Sequence, residues 1–164
     1  MTCTQYHQIE TWFRKRPMCY RLLRILNRWL PLIFYAAYPI ALLYLAFHRD
    51  SRLLLCIVVP AIAFLGCTVI RHGLNRPRPY EVWDIHPLIQ KNKSGHSFPS
   101  RHMTCAGVIA MTFYYLWPTL GVIFFIMTAM IAVVRVVAGI HFTKDVLVGG
   151  LIGIAIGLLG FFLL

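Results

Sequence analysis

The chain has 164 residues, 59% of them hydrophobic and only 13% charged, with a formal net charge of +11. Soluble domains carry about a quarter charged residues, so this composition excludes a water-soluble fold and points to one membrane-embedded unit. The sixteen Lys and Arg residues fall before Leu30, at Arg49 and Arg52, and between Arg71 and Lys144. Flanking polar segments in this way, they suit anionic lipid or phosphate and build no nucleic-acid-binding face.

In chain order, residues 5–29 set Trp12, Phe13, Leu22, Leu26 and Trp29 against Arg14, Arg21, Arg24 and Arg28, which predicts an amphipathic interfacial helix broken near Pro17. Charges run through the region where a signal peptide needs an uninterrupted apolar core. Leu30 to Phe47 and Leu53 to Ile70 are uncharged and long enough to cross most of a ~30 Å hydrocarbon layer, with Pro39 and Pro60 as expected kinks. Residues 71–102 form one long polar connection, a length more often functional than idle in so small a chain. The uncharged stretch Met103 to Val134 reads as one overlong span or as a hairpin divided at Trp117, Pro118 and Thr119. The proline favours the hairpin, which returns Arg135 to the face of Arg101. Val146 to Leu164 is the last span, with Gly149, Gly153 and Gly157 at the spacing that lets membrane helices approach closely. The five cysteines Cys3, Cys19, Cys56, Cys67 and Cys105 show neither metal-site spacing nor a disulfide framework. The expected fold is therefore an all-α, integral membrane helical bundle of about five transmembrane helices over residues 30–164, preceded by an interfacial helix over 1–29.

The hairpin brings three cationic clusters to one membrane face: Arg71 to Arg78, Ser100 to His102, and Arg135 to Asp145. Guanidinium groups bind phosphate oxygens bidentately, and a serine at a helix start adds a hydroxyl and backbone N–H groups. His141 lies one helical turn before Asp145, an acid at the edge of an apolar run, so the pair reads as an oriented imidazole. Two histidines, His102 and His141, supply what covalent phosphoryl transfer requires, a nucleophile and an acid–base group, with no metal or other cofactor demanded.

These residues match a pattern in order and spacing. Arg71, six residues, Arg78-Pro79; then Pro99-Ser100-Arg101-His102; then Val134-Arg135, five residues, His141, three residues, Asp145. Together they resemble the three-part signature of the type 2 phosphatidic acid phosphatases, which share an active site with vanadium haloperoxidases. The resemblance implies a membrane hydrolase of a lipid phosphomonoester or diphosphate, acting through a phosphohistidine on His141. Asp145 orients it, His102 is the general acid, and Arg71, Arg78, Ser100 and Arg135 hold phosphate. Arg71 stands for the family's lysine, Val134 for its serine and Arg101 for its glycine, so Arg101 joins the phosphate-binding set as an extra cation or crowds it. Ser94-Gly95-His96 repeats part of the second motif six residues early, and the helix-start His102 is preferred as the rigidly placed group. Arg76 and Lys144 read as surrounding charges, His72 and His86 as ordinary loop histidines, and Glu81 and Asp84 as partners for the excess cations.

Phosphatidic acid, phosphatidylglycerol phosphate and polyprenyl diphosphate all satisfy this reading. A phosphotransferase using the same nucleophile, or a binding protein without turnover, are the alternatives. A multi-pass cell-membrane protein is expected. The resemblance places its active site outside the cytoplasm, whereas the basic arm before the first span places that end inside.

Overall fold

The computed structural model describes residues 2–90 and 94–163. Helix α1 (Cys3–Arg14) is closed at its start by a reciprocal cap in which Thr2 Oγ1 accepts from Gln5 N and Gln5 Oε1 accepts from Thr2 N. Helix α2 (Pro17–Phe47) then runs without interruption through Leu30. The interfacial segment is thus α1 plus the first turns of α2, with no break between residues 29 and 30. The expected break near Pro17 falls between α1, which ends at Arg14, and α2: a proline in the first helical position gives up an N–H that has no partner there, so Pro17 starts the second helix. At 1.5 Å per residue, α2 is roughly 46 Å long, so its arginine-bearing start extends beyond a ~30 Å hydrocarbon layer.

Helix α3 (Leu53–Leu74) follows a turn in which the Asp50 carboxylate takes both the backbone N–H and the guanidinium of Arg52. Pro39 and Pro60 both lie inside continuous helices. Pro60 cannot donate to the Cys56 carbonyl one turn earlier, and the Tyr38 hydroxyl of α2 donates to that carbonyl at 2.8 Å instead. A short helix, α4 (Pro79–Val82), interrupts the polar connection. Helix α5 (Arg101–Leu116) ends one residue before Trp117, and Pro118 opens α6 (Pro118–Val137), so Met103 to Val134 is a hairpin. Helix α7 (Thr143–Leu158) continues as a π-helical turn, Leu159–Leu163.

Four stretches are long and apolar enough to cross a membrane: Pro17–Phe47, Leu53–Val82, Pro118–Val137 and Thr143–Leu163. The fifth long helix, α5, has 16 residues and is buried along most of its length as the centre of the bundle. The glycine spacing of α7 is used against it. A Cβ on Gly149 would lie 2.6 Å from Ser100 O, one on Gly153 would meet Thr104 O, and one on Gly157 would lie 2.5 Å from Met111 Cβ. In lipid, where burying apolar surface gains little, this close backbone contact is what holds two helices together. The other side of α5 is held by aromatic packing, with Phe113 stacked on Phe124 at 4.0 Å and Phe34 of α2 edge-on to Phe124. The outer faces carry exposed Leu43, Phe47, Leu54 and Val69, as lipid contact requires.

Candidate active site

The starts of α5 and α7 and the ends of α3 and α6 lie at one end of the bundle, beside α1. Asp145 is the third residue of α7, and its Oδ2 accepts from Phe142 N at 3.1 Å, capping that helix. The same oxygen accepts from the Ser97 hydroxyl at 2.5 Å and lies 3.8 Å from His141 Nδ1. Ser97 Oγ is itself 3.3 Å from His141 Nδ1. Since the Ser97 proton is given to the carboxylate, its oxygen accepts from an Nδ1–H. That fixes His141 in the tautomer whose Nε2 carries the lone pair. At 3.8 Å the carboxylate acts on the ring as a charge, while Ser97 carries the hydrogen bond. Ser97, His141 and Asp145 are all buried, at 0%, 2% and 1% exposure. Burial pushes the His141 imidazole down from 6.5 to about 4; Asp145 opposes that fall, and the nearby charges of Arg78 and Arg135 add to it. His141 is therefore neutral at pH 7, the state a nucleophile needs.

Ser100 occupies the N-cap of α5, where a serine ordinarily bonds its own helix, yet its hydroxyl makes no cap bond. Its N–H donates to Asp145 O at 2.9 Å, tying the starts of α5 and α7 together. Ser100 Oγ and Arg135 Nε are buried polar atoms without a protein partner among the described residues. Leaving two such groups unmatched costs about 1–3 kcal/mol each, a cost that a bound oxyanion removes.

Arg71 Nη1 donates to Pro99 O at 2.6 Å, next to Ser100. Arg78 is 4% exposed and donates from Nε to Gly95 O at 3.1 Å, with Nη1 3.5 Å from Ile140 O, next to His141. Glu81 fixes this arrangement by accepting from Arg78 N at 2.7 Å and Gly95 N at 3.0 Å, so among the described residues it pairs with backbone donors. A cavity of about 150 Å³ opens over these groups, lined by Arg71, Arg78, Arg101 and also His72 and His96. His102, by contrast, lines a narrow apolar cleft with Phe34, Tyr35, Cys105 and Ile109, between α2 and α5. The structure thus gathers His141, Asp145, Arg78 and Arg135 closely and adds Arg71 and Arg101 at the cavity. His102 is on a different wall, and the His96 of the early Ser-Gly-His faces the cavity.

The loop bearing His141 is clamped from α1. Tyr6, wholly buried, accepts from Leu88 N at 3.1 Å and reaches Ala138 O at 3.5 Å, and burial pushes its hydroxyl up to about 12. Gly139 has φ +74, and a Cβ there would run into the Tyr6 hydroxyl. Among the sequence expectations, Arg76 stacks on Phe98, Lys144 on Phe142, and His86 and Asp84 are exposed. Ser97 and Tyr6 were not anticipated. A serine in a loop and a tyrosine in an amphipathic arm carry no spacing signal.

Comparison with known proteins gives a consistent picture. The family model of the PAP2 superfamily matches residues 51–163. Lipid A 1-phosphatase of Rhizobium etli is 30% identical over 94 residues, 54% of this chain and 40% of that protein. Its namesake in Rhizobium johnstonii is also 30% identical, over 54% of this chain and 38% of that protein. The matched stretch thus spans about two fifths of these relatives. Among solved structures, Aquifex aeolicus LpxE superposes with a TM-score of 0.66 at 26% identity, covering 85% of this chain and 92% of that one. A PAP2 type phosphatidylglycerolphosphate phosphatase from Bacillus subtilis shares the fold, with a TM-score of 0.64 at 24% identity over 88% of this chain and 76% of that one.

Proposed function

The chain belongs to the PAP2 superfamily, and from that membership we propose that it is a metal-independent lipid phosphatase acting through a phosphohistidine on His141. The observation that carries the reading is the pair of unmatched buried groups, Ser100 Oγ and Arg135 Nε, in a site whose imidazole is held neutral. In the proposed reaction the phosphate sits among Ser100, Arg135, Arg71 and Arg78, whose charge offsets that of its oxygens. His141 Nε2 attacks phosphorus and forms an N–P bond as the P–O bond to the lipid breaks. Asp145, acting through Ser97 and as a nearby charge, stabilises the cation that develops on the ring. His102 gives a proton to the departing lipid oxygen, then takes one from the water that cleaves the N–P bond. The apolar cleft beside His102 suits the start of a lipid chain.

Phosphatidic acid, phosphatidylglycerol phosphate, a polyprenyl diphosphate and a lipid A bearing a 1-phosphate form the substrate panel, the last two classes widening it beyond glycerolipids. Detergent-purified protein in EDTA is expected to release phosphate from at least one of them. His141→Ala is expected to stop release, and His102→Ala to slow it by about 10²–10⁴-fold. No release by folded protein from any member would sink the reading; release that depends on an added alcohol would make the protein a phosphotransferase.

We place the site on the extracytoplasmic side of the cell membrane. A membrane-impermeant maleimide should then label Arg76→Cys, in a cysteine-free background, in intact cells. Labelling only after lysis would put the site inside, in line with the cationic arm at the same end.

A further inference from the structure

The first turns of α2 carry a cationic surface that the catalytic site does not use. Arg21, Arg24 and Arg28 follow one another at three- and four-residue spacing, which places them on one helix face. With Tyr20, Ile25 and Trp29 they line an open groove of about 450 Å³. We propose that this groove binds the headgroup of an anionic phospholipid of the bilayer, a phosphodiester lipid that is a ligand and not a substrate. The site stands apart from the phosphatase reading, because such a lipid has no terminal phosphate to offer His141.

Its depth in the membrane suits that ligand. The turn at His48, where α2 ends, marks one edge of the hydrocarbon. About 20 residues at 1.5 Å each cross a ~30 Å layer, so the other edge falls near Arg28 and Trp29. Arg21 and Arg24 then stand at headgroup level, above an indole that is 53% exposed and of the kind that settles at the interface.

The charge of the groove is uncompensated. Five carboxylates face sixteen Lys and Arg residues in the chain. Glu10 pairs with Arg14 and Asp50 with Arg52, while Glu81 and Asp145 are engaged by backbone N–H groups and Ser97. Among the described residues no carboxylate pairs with Arg21, Arg24 or Arg28, and all three are exposed. The two free oxygens of a phosphodiester match the guanidinium fork and supply the missing counter-charge.

The groove also has a fixed wall, which a merely solvated run of arginines lacks. The Tyr20 hydroxyl donates to Leu88 O at 3.0 Å, and Leu88 N donates to the Tyr6 hydroxyl at 3.1 Å. Helices α1 and α2 thereby hold one loop residue by both of its backbone groups, and Leu23 clusters with Leu88 and Val134 behind it. The Arg24 guanidinium lies over the anchored Tyr20 ring, 5.8 Å from its centre. Exposed Ile25 and Trp29 lie beside the arginines on a helix that is entering hydrocarbon. A lipid, with its phosphate among the arginines and its chain along the helix, satisfies both surfaces, whereas a free phosphate satisfies one.

The test is calorimetric binding of short-chain phosphatidylglycerol, short-chain phosphatidylcholine and inorganic phosphate to the detergent-purified protein. Wild type is compared with Arg24→Gln/Arg28→Gln in the groove, Lys15→Gln/Arg16→Gln at the neighbouring end of α1, and Arg71→Gln at the catalytic cavity. Each cation near an anionic headgroup is worth about fivefold in affinity, so the groove variant should bind phosphatidylglycerol roughly thirtyfold more weakly. Wild type should prefer phosphatidylglycerol to phosphatidylcholine, and the α1 and Arg71 variants should keep that preference. Equal affinity of wild type for the two lipids, or phosphatidylglycerol affinity unchanged in the groove variant, would overturn the site. An equal loss in the α1 variant would replace it with diffuse attraction to a basic surface. A loss in Arg71→Gln alone would put the lipid in the catalytic site. Inorganic phosphate binding as tightly as phosphatidylglycerol, and depending on the same arginines, would replace the lipid with a free anion. The groove and α1 substitutions are at exposed positions, and melting temperatures in phosphatidylcholine identify any variant that fails to fold.

Discussion

Replacing Ser97 by alanine is the most informative single change. Its hydroxyl is the only protein group seen to hydrogen-bond both sides of the His141–Asp145 pair among the described residues, at 3.3 Å to Nδ1 and 2.5 Å to Oδ2. Without it the carboxylate keeps Phe142 N, and the ring stands 3.8 Å away, outside hydrogen-bond range. A hydrogen bond to a charged group contributes about 1.5–3 kcal/mol, and each ~1.4 kcal/mol off transition-state stabilisation is tenfold in rate. Ser97→Ala should thus lower kcat by roughly 10–100-fold, with KM little changed because Ser97 is not placed against the phosphate. The acid limb of the rate profile should also move upward from the His141 value of about 4. The Asp145 charge, no longer shared with the serine hydroxyl, then favours the imidazolium more strongly. The assay is kcat and KM on the best lipid of the panel between pH 4 and 8, beside thermal melts in detergent. An unchanged kcat, or a loss explained entirely by a lower melting temperature at unchanged pH dependence, would refute the bridging role.

Two further changes probe the frame. Gly149→Ala puts a Cβ 2.6 Å from Ser100 O and 3.0 Å from Ser100 N, both backbone atoms that cannot turn aside. It should cost about 1–3 kcal/mol and reduce activity by pushing Ser100 off Asp145, whereas Gly66→Ala, with nothing within 4 Å, should be neutral or slightly stabilising. Equal melting temperatures for the two variants would contradict the α5–α7 contact. Because His141 is held near 4 in the fold and titrates near 6.5 when unfolded, the unfolded chain binds the extra proton between those values. Its contribution to stability is complete above pH 6.5 and is lost as pH falls toward 4, by an amount on the order of 3 kcal/mol. His141→Gln should remove that part of the acid sensitivity, and identical pH–melting curves for wild type and variant would show that His141 is not buried neutral.

The sequence by itself determined which segments enter the membrane, because an uncharged run of sufficient length has no other low-energy place. It also determined the hairpin at Pro118, since a proline restricts its neighbour, and it singled out His141 and Asp145 by their four-residue spacing, although His141 lies in the loop ahead of α7 and meets Asp145 of its first turn there. Only the tertiary structure decided that Pro17 starts a long α2, that the glycines of α7 lie against α5 rather than another chain, and that the central α5 is covered on nearly all sides. The same holds for where the two histidines of the repeated motif lie, His96 at the basic cavity and His102 at the apolar cleft. Residues 75–90 and 94–100 have no helical or strand period to read. Their course is set by contacts between residues far apart in the chain, from Glu81 to Gly95, from Ser97 to Asp145 and from Tyr6 to Leu88. Such contacts depend on where the helices have already placed their ends, and a linear pattern carries no record of that.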